Sequence, residues 1–109
     1  MDYEVDSAFN EAEGRWDVAV RGEIDIFSSN DFREKLTGLI GKRETGLRLD
    51  CAGLVYIDST GLGALVSVLK AVREFGGEIR LANLTHTVSK LFRITNLDKA
   101  FVIEGDVIE

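Results

Sequence analysis

Apolar and polar residues alternate from Tyr3 to Phe9, the two-residue period of a strand with one covered face. Asn10 to Gly14 reads as a turn, and Trp16 to Gly22 is a second strand, predicted to pair with the first as a hairpin. The period then changes. Ser28-Ser29-Asn30-Asp31 offers caps and an acidic first turn, and Phe32, Leu36, Leu39 and Ile40 follow at helical spacing. Gly41 or Gly46 can end this helix. Leu47 to Ala52 reads as a third strand, Gly53 to Asp58 as a loop, and Thr60 to Phe75 as the strongest helix of the chain. Gly76-Gly77 supplies the left-handed stop that helices favour. Ile79 to Ala82 is a fourth strand, and Thr85 caps a third helix running to about Ile94. Leu97 to Ala100 forms a turn before a short closing strand, Phe101 to Ile103.

Strand, helix, strand, helix, strand implies two successive crossovers, and crossovers join parallel strands. The hairpin adds an antiparallel edge. The expectation is an α/β fold: a small mixed sheet of four to five strands with three to four helices. No repeat, low-complexity tract or composition shift interrupts it, so residues 1–109 are read as one domain.

Composition narrows the function classes. The chain carries 13 basic and 19 acidic residues, a formal net charge of −6. That argues against nucleic acid or an anionic membrane as a direct partner. Cys51 is the one cysteine, which excludes an internal disulfide and a cysteine-based zinc site. No resident metal or cofactor is expected. Asp2, Glu4 and Asp6 read as a solvated strand face, and Glu104, Asp106 and Glu109 as an acidic tail. Met1-Asp2-Tyr3-Glu4 has no basic or apolar leader pattern, and the apolar stretch Gly61 to Leu69 is too short to cross a bilayer. The expected location is cytoplasmic.

The segment Gly53 to Gly63 carries the chemistry. Ser59 falls where a helix N-cap belongs, with Thr60 as the neighbouring choice, and a cap hydroxyl accepts from a free N–H of the first turn. Gly61 and Gly63 lie in that first turn, where each costs on the order of 1 kcal/mol against alanine. Their expected return is room around Ser59 for another backbone or a phosphate. Along the helix, Leu62, Leu65, Val66, Leu69 and Val72 form one apolar stripe. Ala64, Val68, Ala71 and Phe75 form a second, predicted to pack beneath the neighbouring helix, the alternative being that its N-terminal end is a docking surface beside Ser59.

Tyr56-Ile57-Asp58-Ser59-Thr60-Gly61-Leu62-Gly63 resembles the signature of STAS-domain anti-sigma factor antagonists, bacterial partner-switching proteins. Gly22-Glu23-Ile24-Asp25, Glu74-Phe75-Gly76-Gly77-Glu78-Ile79 and Val88-Ser89-Lys90-Leu91-Phe92 resemble three further elements of that family, in order along essentially the whole chain. The resemblance implies that Ser59 is phosphorylated by an ATP-dependent anti-sigma factor serine/threonine kinase. It also implies that the unphosphorylated form binds that anti-sigma factor and frees a sigma factor, and that a metal-dependent serine phosphatase restores binding. Asp25 would lie close to Ser59, and Asp25, Asp58, Thr60, Gly61, Leu62 and Gly63 would form the partner surface.

Other readings compete. A Ser59 nucleophile needs a base, yet His86 is the one histidine and Asp58-Ser59-Thr60-Gly61 is no nucleophile elbow, so an enzyme is not expected. Gly61-Leu62-Gly63 lacks the third glycine of a dinucleotide fingerprint, which is Val66 here. A STAS scaffold, or a nucleotide- or small-ligand-binding module in another signalling assembly, is the alternative.

Overall fold

The computed structural model describes residues 2–105. Its elements are β1 (Tyr3–Asn10), β2 (Arg15–Ile24), α1 (Ser29–Lys42), β3 (Leu47–Ile57), α2 (Ser59–Glu74), β4 (Ile79–Ala82), α3 (His86–Ile94), a 3-10 turn (Leu97–Lys99) and β5 (Val102–Glu104). They form the expected α/β fold. The five strands lie in sequence order in one sheet, β1 antiparallel to β2 and every later neighbour parallel. Three successive crossovers of the same hand, all moving one way along the sheet, put α1, α2 and α3 on one face. Among the described residues no helix is long and apolar enough to cross a membrane.

The core lies between that face and the helices. Val18, Val20, Leu47, Leu49, Ile79 and Leu81 from the strands meet Phe32, Leu36, Leu65, Val68, Leu69 and Phe92 from the helices. Both stripes of α2 are used: Ala64 and Val68 are buried, and Ala71 and Phe75 line a groove with Thr37 and Ile40 of α1. Phe92 closes the far end, edge-on to Phe101 at 5.6 Å.

The opposite sheet face carries paired charges. Arg21 bonds Glu4 and Asp6 across the hairpin. Glu104 accepts from Arg48 Nε at 3.1 Å and Arg80 Nε at 2.6 Å. Glu104 is thus a strand residue stitched to β3 and β4, not part of a free acidic tail, because two arginines on neighbouring strands converge on it. Asp106 and Glu109 lie outside the described residues.

The largest departure from expectation is β3, which runs on to Ile57 rather than stopping at Ala52. Its pairing with β2 steps from Ala19↔Asp50 to Arg21↔Gly53, then from Gly22↔Leu54 to Glu23↔Tyr56. At each step β3 carries one extra residue, a bulge that breaks the alternation and hides the strand from a period-two reading. Gly53 is required here, since a Cβ would sit 2.5 Å from Arg21 Cγ. After the second bulge, Val55 and Tyr56 both face outward.

Candidate functional site

The site forms where β2 and β3 end and α2 begins. Ile24 and Ile57 close the sheet side by side, and the Asp58 N–H donates to the Ile24 carbonyl at 3.1 Å. Asp58 then caps α2. Its Oδ1 accepts from the N–H of Thr60 at 3.0 Å, the N–H of Gly61 at 3.1 Å and the Thr60 hydroxyl at 2.6 Å. The Thr60 hydroxyl foremost, then the N–H groups of Gly61, Thr60 and Ile26, hold the Asp58 carboxyl below its ordinary range.

Ser59 is therefore not the cap. One carboxylate oxygen here accepts two free N–H groups and a hydroxyl together, whereas a serine hydroxyl in the same place caps one. Ser59 becomes the first residue of the helix, exposed to solvent. Among the described residues no hydrogen bond engages its hydroxyl, while that of Thr60 is held by Asp58. The two adjacent hydroxyls differ in availability, and Ser59 has the available one.

Asp25 opens the β2–α1 turn and is spent on it. Its Oδ1 accepts from the Phe27 N–H at 2.9 Å and from the N–H and hydroxyl of Ser28 at 3.3 Å. Its own N–H donates to Ser28 Oγ at 3.0 Å. Ser28, expected to cap α1, instead faces back into this knot and makes no side-chain cap bond. The turn is tied to Asp58 through the Ile26 N–H. Asp25 thus lies beside the site but is buried, shaping the loop from within.

Around Ser59, the structure brings Asp58, Thr60 and Gly63 to the surface and turns Gly61 and Leu62 inward. A Cβ at Gly61 would lie 2.6 Å from Ile57 Cγ1 and 2.9 Å from Ile24 Cγ2. The glycine lets α2 press onto the strand ends and does not thin an outer wall. Leu62 belongs to the core. At Gly63 a Cβ would meet nothing within 4 Å, so that side of the helix is open.

The knotted turn displays a feature the sequence reading missed. Ile26 is 66% exposed and Phe27 89%, and Tyr56, opposite Glu23 at the same end of the sheet, is 43% exposed. Large apolar side chains are usually withdrawn from water, and three of them are exposed at this one end of the sheet. The available signal was an apolar pair, Ile26-Phe27, set between two turn-forming residues.

A mixed, mostly parallel α/β sheet with its helices on one face, and a helix start capped by Asp58 that leaves Ser59 exposed, are the features of one small α/β domain class. The chain belongs to the STAS domain family, whose model matches residues 9–109. It is 39% identical over 97 residues to the anti-sigma-B factor antagonist of Bacillus subtilis, covering 89% of this chain and 86% of that protein. Identity to the anti-sigma-B factor antagonist of Listeria monocytogenes is 35% over 89 residues, 82% and 78% of the two chains. Among solved structures, the anti-sigma factor antagonist SpoIIAA in its unphosphorylated form superposes with a TM-score of 0.77 at 20% identity, covering 96% of this chain and 90% of that one. The phosphorylated form of the Bacillus SpoIIAA gives 0.69 at 18% identity, covering 96% and 93%. These two likenesses speak to fold alone.

Proposed function

We propose that this chain is a cytoplasmic, non-enzymatic anti-sigma factor antagonist, a single STAS domain over residues 1–109 whose partner binding is switched off by phosphorylation of Ser59. The observation that carries the assignment is the pair of hydroxyls at the start of α2: Ser59 exposed and unengaged, Thr60 held by Asp58. The kinship with two proteins named as anti-sigma-B factor antagonists supports the class of partner. That partner is an anti-sigma factor that is itself an ATP-dependent serine/threonine kinase, opposed by a metal-dependent serine phosphatase.

The chemistry is economical. The Ser59 oxygen attacks the γ-phosphorus of the kinase's ATP, the bond to ADP breaks, and the hydroxyl proton leaves to a base on the kinase. The product adds about −1.5 to −2 charges at neutral pH. Within the domain those charges sit at the positive end of the α2 dipole, beside a helix already capped by Asp58, so the fold tolerates them. Across an interface the same charges stand next to Asp58 and the apolar display of Ile26 and Phe27. Desolvating a dianion against an apolar contact is strongly unfavourable, and the partner is expelled without refolding.

The test is intact-mass spectrometry with peptide mapping after incubation with ATP and the anti-sigma factor of the same organism. One phosphate on Ser59, absent in Ser59→Ala and retained in Thr60→Ala, is the expected result. Phosphate on Thr60 in the wild-type chain would overturn the site. No phosphate, with the kinase active on a control substrate, would favour a scaffold or ligand-binding role.

A further inference from the structure

Resting on that reading, we propose that the groove between α1 and α2 is a second contact point for the anti-sigma partner, one that receives an acidic side chain held by Arg33. The groove has a volume of about 300 Å³ and starts at Thr60, one residue from the phosphorylation site. Ser29, Asn30 and Arg33 line it from α1, and Thr60, Gly63 and Ser67 from α2. Arg33 is its one charged lining residue.

Two independent observations mark it. The first is the state of Arg33. Arg15, Arg21, Arg43, Arg48 and Arg80 each sit on a carboxylate, whereas among the described residues Arg33, like Arg73 and Arg93, sits on none, and of these three Arg33 is the one that lines the groove. A single Nη2 bond to Asn30 Oδ1 at 2.9 Å steadies the guanidinium and leaves the rest of its fork unused. The second is Gly63. A glycine inside a helix is destabilising, and here, as at Gly38 and Gly41, a Cβ would meet nothing within 4 Å, so no packing demands it; of the three, Gly63 is the one that lines this groove. What the glycine provides is depth: any side chain at this position would stand in the groove.

Size and charge identify the occupant. The volume is at the lower limit for small-ligand sites, suited to one side chain rather than a nucleotide. The unused donors of a guanidinium match the plane of a carboxylate. Asp58 stands at the same helix start with no cation on it among the described residues, so a partner surface complementary to this end offers positive charge to Asp58 and the reverse opposite Arg33. One reversed pair in such a surface fixes register as well as adding affinity.

Titration of the host anti-sigma factor against an Arg33 series tests this. Lys, Gln and Glu all suit a helix, so the series reads charge rather than fold. Affinity is expected to fall least in Arg33→Lys, about tenfold in Arg33→Gln and about a hundredfold in Arg33→Glu. Gly63→Leu, which fills the groove, should cost about tenfold, while Gly38→Ala, at another open helical glycine away from the groove, should cost nothing. Equal affinities across the Arg33 series, with wild type binding normally, would overturn the groove and leave the antagonist reading standing. Failure of the wild type itself to bind would overturn both. Competition by millimolar inorganic phosphate, abolished in Arg33→Gln, would reassign the groove to phosphate and overturn the carboxylate.

Discussion

At the pole where the parallel strands begin, charges meet their counterparts. Arg15 sits on Asp17 and Arg80 on Glu78 and Glu104, around a hollow of about 630 Å³ bounded by the turns at Gly14, Gly46 and Gly76-Gly77. Gly46 is there for packing, since a Cβ would lie 2.7 Å from the Glu78 carbonyl oxygen. At the pole where the strands end, Ile26 and Phe27 stand in water, the Ser59 hydroxyl is unengaged and Arg33 lacks an acid. The same sheet thus has one end where the arginines are paired, though the buried Trp16 Nε1 finds no partner among the described residues, and one end whose exposed groups stand without partners of their own. On the proposed reading, most of the groups that recognise a partner lie at one end and the packing glycine Gly46 at the other, so the two roles can be separated by substitution.

The sharpest way to break this contrast is Phe27→Asp. An exposed aromatic anchor removed from an interface typically costs 2–4 kcal/mol of binding, so affinity for the anti-sigma factor should fall by about two orders of magnitude. The melting temperature should stay put, because the side chain touches little of its own domain. Gly46→Ala should do the reverse, losing about 1–3 kcal/mol of stability by denaturant titration with affinity unchanged. If Gly46→Ala weakened binding as much as Phe27→Asp, the two poles would not be independent.

Asp58→Ala sits between these cases and should cost about 1 kcal/mol of stability through loss of the cap. The sign of its pH dependence follows from the bonds it accepts. The folded carboxyl is held below its ordinary value of 3.8, so its contribution is complete well above pH 3.8 and disappears as the pH falls through the lower folded value. Wild type should therefore lose stability faster than Asp58→Ala on acidification below pH 4, and the two curves should converge. The smallest effect is expected at Cys51, where burial pushes the thiol up to about 12. Native protein at pH 8 should resist alkylation there, and unfolded protein should not.

Much of the fold is legible in periodicity: the hairpin, the two long helices and their crossovers are where the spacing of apolar residues puts them. Three things are not, for physical reasons. The last five of the eleven residues of β3 hide because two bulges reset the alternation, and a reset alternation looks like a loop. The cap of α2 is ambiguous because Asp58, Ser59 and Thr60 are all good capping residues, and which one takes the role depends on how Ile24 and Ile57 end their strands. The apolar display escapes because hydropathy treats Ile26 and Phe27 as candidates for burial, and the Asp25–Ser28 knot that holds them out is made by the folded turn. Gly61 and Gly63 look equivalent in the sequence. In the structure one is a packing glycine and the other an opening.

A phosphate on Ser59 is proposed to act at one pole and by repulsion. The most direct test is to titrate a single anti-sigma factor with the unmodified and the phosphorylated chain, recording far-ultraviolet circular dichroism and amide chemical shifts of both forms. Binding by the unmodified form alone is expected, with equal helix content and shift changes confined to the β2–α1 turn and the first turns of α1 and α2. Equal binding by both forms would contradict the switch, and lost helix signal or shifts reaching Gly46 and Gly76-Gly77 would contradict its local action.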